Sequence, residues 1–284
     1  MPIRPRTAAL GAGLCVALLA VDWVAAFHVG FFEHADQAIY MQFGNLGAHP
    51  RVGSLAGRLV SKFDPDPYVY LVVVVVAVAL VRGRPWLALA AAAIVLGANV
   101  TTELLKHAVA SPRPGWLFPG GVSPLPPDSW PSGHSTAAMS LVLAAVLVSP
   151  GRLRPAVAAL GAALAIGVGY SVLAVGMHYP SDVLGGYLVA ATWGLGTVAA
   201  LLGAGRWRQA SGQASRERVS IWAALGAPGG VMLAALLLCA ALLISHPEVI
   251  TSYARAHEAF VIGAAGIAAL GLAVSTGMLL SVRR

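Results

Sequence analysis

Residues 85–105 read PWLALAAAAIVLGANVTTELL, an unbroken apolar run whose one charge, Glu103, sits near its end. Arg82 and Arg84 precede it and Lys106 follows it. A helix needs about 20 such residues to cross the hydrocarbon core of a bilayer. Runs of the same kind recur along the whole chain, and they set the class of fold. The 284 residues are 58% hydrophobic and only 10% charged, with mean hydropathy +0.78. A soluble domain carries roughly 25% charged residues. Too few charges are present to cover a soluble surface, so the sequence predicts one all-α, polytopic transmembrane bundle.

Eight spans are expected. They are Ala8–Phe27, Tyr68–Val81, Pro85–Leu105, Ser135–Val148, Ala156–Met177, Val183–Gly203, Ile221–Ile244 and Ala259–Leu280. Asp64-Pro65-Asp66-Pro67 is a helix-start signal for the second. Met1–Arg6 followed by an apolar stretch has the look of a signal peptide. The stretch is long enough to span and lacks a clean cleavage site, so it reads as a retained first helix. The segment 28–67 mixes apolar residues with charges and reads as helices lying on the membrane surface. Residues 206–220 are basic and rich in Gly and Ser, and form a linker. The chain thus divides into a six-span core at 1–205, a linker at 206–220 and a two-helix extension at 221–284.

The net charge of +7 reports orientation in the bilayer, not nucleic-acid binding, because the basic residues fall between the apolar runs. With the N-terminus inside, the inner segments hold twelve of the 18 Lys and Arg residues and the outer segments six. The expectation is a multi-pass cell-membrane protein with both termini cytoplasmic. Cys15 and Cys239 both fall in apolar runs and are expected to be small buried residues. Frequent Gly and Ala suit close helix packing.

Three polar clusters then fall on one side of the membrane, the outer one: Lys106 with Arg113-Pro114, Pro131-Ser132-Gly133-His134, and His178 with Asp182. Lys and Arg are fixed cations that suit phosphate. Ser132 and Gly133 stand where a helix begins, where free backbone N–H groups attract an anion. Two histidines offer a nucleophile or base and an acid near neutral pH. Asp182, four residues after His178, can accept a bond from its ring and stabilise the charged imidazole. The set amounts to a phosphate cradle beside an activated histidine.

Blander readings exist for each part. Lys106 and Arg113 could be membrane-edge anchors, Ser132 an N-cap, and Glu103 a helix-face partner of Lys106. Asp22 is a carboxylate within a span and therefore a functional candidate or an interfacial residue. Trp23, Trp116 and Trp130 suit an interfacial belt, with Trp116 and Trp130 also able to line a site entrance. The remaining histidines lack metal-ligand spacing.

The clusters resemble the signature of the type 2 phosphatidic acid phosphatase family, which includes vanadium haloperoxidases: K-x6-RP, then PSGH, then SR-x5-H-x3-D. Lys106, Arg113 and Pro114 meet the first, Pro131–His134 the second, and Ser171, His178 and Asp182 the third. The resemblance implies a lipid phosphatase that needs no metal or cofactor. In it His178 attacks phosphorus, Asp182 orients that ring, and His134 protonates the leaving oxygen. Lys106, Arg113, Ser132 and the Gly133 amide hold the phosphate. It also implies a membrane lipid phosphate as partner, either a polyprenyl pyrophosphate or a phosphatidic-acid-like lipid. A homo-oligomer is compatible. The family's third-motif arginine falls on Val172. Three readings follow: another outer-face cation (Arg51, Arg58, Lys62 or Arg255) replaces it, the substrate carries less charge, or the activity is altered. Phosphate transfer to an acceptor, and a non-catalytic lipid-binding or scaffold role, are the competing functions.

Overall fold

A computed structural model describes residues 4–114, 121–205 and 247–282, together with 230, 244 and 245. The described residues contain ten α-helices. They are α1 (Pro5–His28), α2 (Gly30–Gly47), α3 (Pro50–Val60), α4 (Pro65–Val81), α5 (Pro85–Ala108), α6 (Gly133–Val148), α7 (Arg154–Ala174), α8 (Pro180–Gly203), α9 (Pro247–Ala256) and α10 (Glu258–Ser281). A 3₁₀ turn, Ser61–Phe63, joins α3 to α4. The described residues form an all-helical polytopic bundle.

Proline starts most of these helices. Pro5, Pro50, Pro65, Pro85, Pro155 and Pro180 each stand in the first turn, where a missing N–H costs nothing and a fixed φ favours the helix. Helix α6 begins differently. Ser132 is its N-cap and accepts the Ser135 amide on its side chain.

Among the described residues, five helices are long and apolar enough to cross a membrane: α1, α5, α7, α8 and α10. The second expected span is half of a broken element. α3 with its 3₁₀ turn and α4 pass the same test only as a pair bent by 61°. The fourth, α6, is a shorter apolar helix. It lies at the centre, packed by α5, α7 and α8, with nearly every side chain buried. Its apolar run is therefore that of a core helix enclosed by protein. The expected span Ile221–Ile244, the linker 206–220 and Cys239 lie outside the described residues.

The segment 28–67 is helical as expected, but α2 is no plain surface helix. Glu33, Asp36, Ile39 and Phe43 are buried against α10, α7 and α1. Cys15 is partly exposed on α1, against the expectation of burial. The far end of α6 is held by two arginines. Arg82 donates to the Val148 carbonyl. Arg154 donates to Ser149 O at 3.1 Å and to Val282 O at 2.7 Å. They serve carbonyls that a helix end leaves without partners.

Candidate active site

Helix α5 ends, and α6 and α8 begin, at one end of the bundle, and there the three polar clusters meet. The first turns of α6 and α8 are joined directly. The Ser132 amide donates to Asp182 O at 2.8 Å. Gly186 permits this approach: a methyl group in its place would stand 2.8 Å from Ser132 O and 3.0 Å from the Thr136 amide.

A cavity of about 870 Å³ opens beside this junction. Lys106, Gly133, His134 and His178 line its polar end, and Val69, Val72, Val73, Val95, Leu96 and Val100 form apolar wall. The His134 and His178 rings are 6.4 Å apart, centroid to centroid. A methyl group added at Gly133 would lie 3.3 Å from Lys106 Nζ, so the ammonium sits over the start of α6. The first amides of a helix have no intrahelical acceptor. Ammonium, amides and two imidazoles therefore converge on one polar pocket with a greasy extension. Lys106 also pairs with Glu103 Oε1 at 2.8 Å, the helix-face contact expected from their spacing.

Each histidine has a carboxylate. His178 Nδ1 is 3.3 Å from Asp182 Oδ2, and that oxygen also accepts the Tyr179 amide at 2.9 Å. His134 Nε2 is 3.0 Å from Asp64 Oδ1. Asp64, in the bend between α3 and α4, reads in the sequence only as a helix start, and no spacing there places it beside His134.

The remaining expected residues stand behind the cavity wall. Ser132 is fully buried and its hydroxyl is spent on the Ser135 amide. Arg113, expected to face phosphate, faces inward instead. Nη1 pairs with Asp36 Oδ2 at 3.1 Å and Nη2 with Asp182 Oδ1 at 3.1 Å. It also donates to Ala26 O at 2.6 Å and Ser181 Oγ at 2.6 Å. Its guanidinium is sandwiched between Phe27 and Tyr179, 4.2 and 4.5 Å from the ring centroids. Two buried carboxylates bind a guanidinium more strongly than an open cavity can.

Asp36 is the second residue that sequence missed. Its Oδ1 accepts the Ser181 amide at 2.9 Å and its Oδ2 the Ser181 hydroxyl at 2.6 Å. Burial pushes its carboxyl up to about 6, against the opposing pull of Arg113 and Ser181. Burial likewise pushes the Tyr179 hydroxyl up to about 12, and that hydroxyl bonds Ser123 Oγ at 2.9 Å.

Asp22 has a structural partner, accepting Trp130 Nε1 at 2.9 Å. Trp130 is buried with Ala26 and Phe27 and so belongs to no interfacial belt. Trp116 is outside the described residues. Val172 is fully buried in the main core. Arg51, Arg58, Lys62 and Arg255 do not line the cavity, and Lys106 is its one fixed cation among the described residues.

The family model of the PAP2 superfamily matches residues 86–206. A lipid A 1-phosphatase of Rhizobium etli is 33% identical over 108 residues, 36% of this chain and 44% of that protein. A lipid A 1-phosphatase of Rhizobium johnstonii is 32% identical over 117 residues, 39% of this chain and 46% of that protein. The match thus spans less than half the length of either relative. No solved structure matches the chain.

Proposed function

We infer, for a chain whose residues 86–206 belong to the PAP2 superfamily, that it is a membrane phosphatase that removes phosphate from a lipid through a phosphohistidine. The observation that carries this reading is the convergence of His134, His178, Lys106 and Gly133 on a cavity with a long apolar wall. A phosphate group suits the polar end and a hydrocarbon chain suits the rest. The two relatives' names, lipid A 1-phosphatase, support a lipid phosphate as substrate class. A polyprenyl pyrophosphate or phosphatidic-acid-like lipid has the same two-part chemistry.

In the first step, Nε2 of His178 attacks phosphorus while Nδ1–H donates to Asp182. The N–P bond forms, the P–O bond to the lipid breaks, and His134 gives its proton to the leaving oxygen. Asp64 is the counter-charge available to His134 when its ring carries both protons. In the second step, His134 takes a proton from water, which attacks the phosphohistidine and frees phosphate and His178. Lys106 and the first amides of α6 stabilise charge on the non-bridging oxygens. The distribution of basic residues supports an outward-facing site.

The test is phosphate release by the purified full chain in detergent from lipid A, polyprenyl pyrophosphate and phosphatidic acid, with His178→Ala alongside. Release from at least one lipid, abolished in the variant, is expected. No release from any lipid, or equal release by the variant, overturns the reading. Loss of lipid phosphate without free phosphate would assign transfer to an acceptor instead.

A further inference from the structure

Asp36 lies on α2, outside all three motifs, yet α2 reaches the site through it. The residue is 7% exposed, and its carboxylate contacts both ends of one short circuit. It takes the amide and hydroxyl of Ser181, one residue before Asp182, and it pairs with Arg113 at 3.1 Å. Arg113 pairs at 3.1 Å with Oδ1 of Asp182, whose Oδ2 meets His178 Nδ1 at 3.3 Å. The order is Asp36, Arg113, Asp182, His178, and all four members are buried.

Charge arithmetic gives this order a meaning. One guanidinium between two carboxylates leaves the group with one net negative charge when both are ionised. With a single carboxylate, Arg113 would cancel Asp182, and charge interactions are strong where water is excluded. As phosphorus bonds to His178, positive charge develops on the imidazole, and an uncancelled Asp182 stabilises it. Asp36 also fixes the guanidinium in place, so that Oδ2 of Asp182 is left to the ring.

We propose that Asp36 is a positioning residue for His178: it neutralises and anchors Arg113 from behind, leaving Asp182 oriented and charged for the imidazole. The proposal rests on the reading of His178 as nucleophile. Its competitor is a purely structural role, in which Asp36 only ties the start of α8 to α2 through Ser181.

The experiment is a double-mutant cycle on lipid-phosphate hydrolysis by the full chain in detergent, with Asp36→Asn, Asp182→Asn and the double variant. Asp36→Asn keeps an acceptor for Ser181 and removes the charge. The expected result is a fall in kcat of tenfold or more with KM changed less than about twofold, and a double variant no slower than Asp182→Asn alone. A kcat within about twofold of the wild type overturns the proposal, as does an undiminished further loss when Asp36→Asn is added to Asp182→Asn. Should Asp36→Asn not fold, Asp36→Glu decides. The proposal expects this variant, which keeps the charge, to retain measurable turnover. A Glu variant that folds and is inactive overturns it. Wild-type protein that releases no phosphate from any lipid removes the phosphatase reading and this inference with it. Wild-type release with an unaffected Asp36→Asn removes the inference alone.

Discussion

His134 Nε2 and Asp64 Oδ1 stand 3.0 Å apart, although 70 residues separate them in the chain. Asp64 is about half exposed and makes no side-chain cap bond to α4. Asp64→Asn should therefore leave thermal stability nearly unchanged, since Asn is as good at a helix N-terminus as Asp. It should lower kcat for lipid-phosphate hydrolysis by about tenfold, a fraction of what a general acid contributes. Unchanged kcat would exclude Asp64 from the work of His134.

The two cations of the first motif should separate by phenotype. Lys106 is partly exposed and paired with an exposed Glu103. Lys106→Ala should cost less than about 1 kcal/mol of stability and lower kcat/KM by roughly 10- to 100-fold through a lost charge-assisted contact. Arg113→Ala strands Asp36 and Asp182 without a counter-charge, and should cost about 3–5 kcal/mol. Thermal unfolding in detergent beside kcat/KM for both variants checks the division.

Gly186 controls the distance between the first turns of α6 and α8. Gly186→Ala should cost about 1–3 kcal/mol, because backbone atoms must give way. Ser132 O is the first of these. The same shift moves Gly133 and His134 away from His178, so activity should fall more steeply than the unfolding midpoint. An alanine variant with full turnover would mean that the helices tolerate the separation.

The Asp36 carboxyl gives a pH dependence of known sign. Its ordinary value is 3.8 and burial raises it to about 6. A raised carboxyl contributes stability that is fully present below the ordinary value and is lost as pH rises through about 6. The difference corresponds to at most roughly 3 kcal/mol. The wild type should thus lose stability relative to Asp36→Asn between pH 4 and pH 7, as read by unfolding midpoints at several pH values. A constant difference across that range would contradict the raised value.

The sequence discloses what is local. Glu103 and Lys106 are three apart on α5, so helix geometry alone brings them together, and His178 stands just before the N-cap of α8, within reach of Asp182 in its first turn. Apolar runs of sufficient length give α1, α5, α7, α8 and α10. Spacing does not tell which way a side chain turns once the helices pack. Arg113 sits in the expected motif and yet points at Asp36, 77 residues earlier in sequence. Asp36 offers one signal in the sequence, a carboxylate three residues after Glu33 in a stretch that also holds His34 and Gln37, and no periodicity links it to α8. Similarly, the apolar run of α6 is the same in lipid and in protein. Only the packing of α5, α7 and α8 around it separates the two.

The ion pair of Lys106 with Glu103 bears on turnover under the proposed reaction. The cavity meets an incoming phosphate with one ammonium that already has a carboxylate beside it. The net electrostatic well is shallow, and affinity has to come largely from hydrocarbon against the valine-rich wall. Inorganic phosphate carries the charge of the substrate without its chain. Under that reaction it is held weakly after cleavage and leaves, so product inhibition by phosphate stays low.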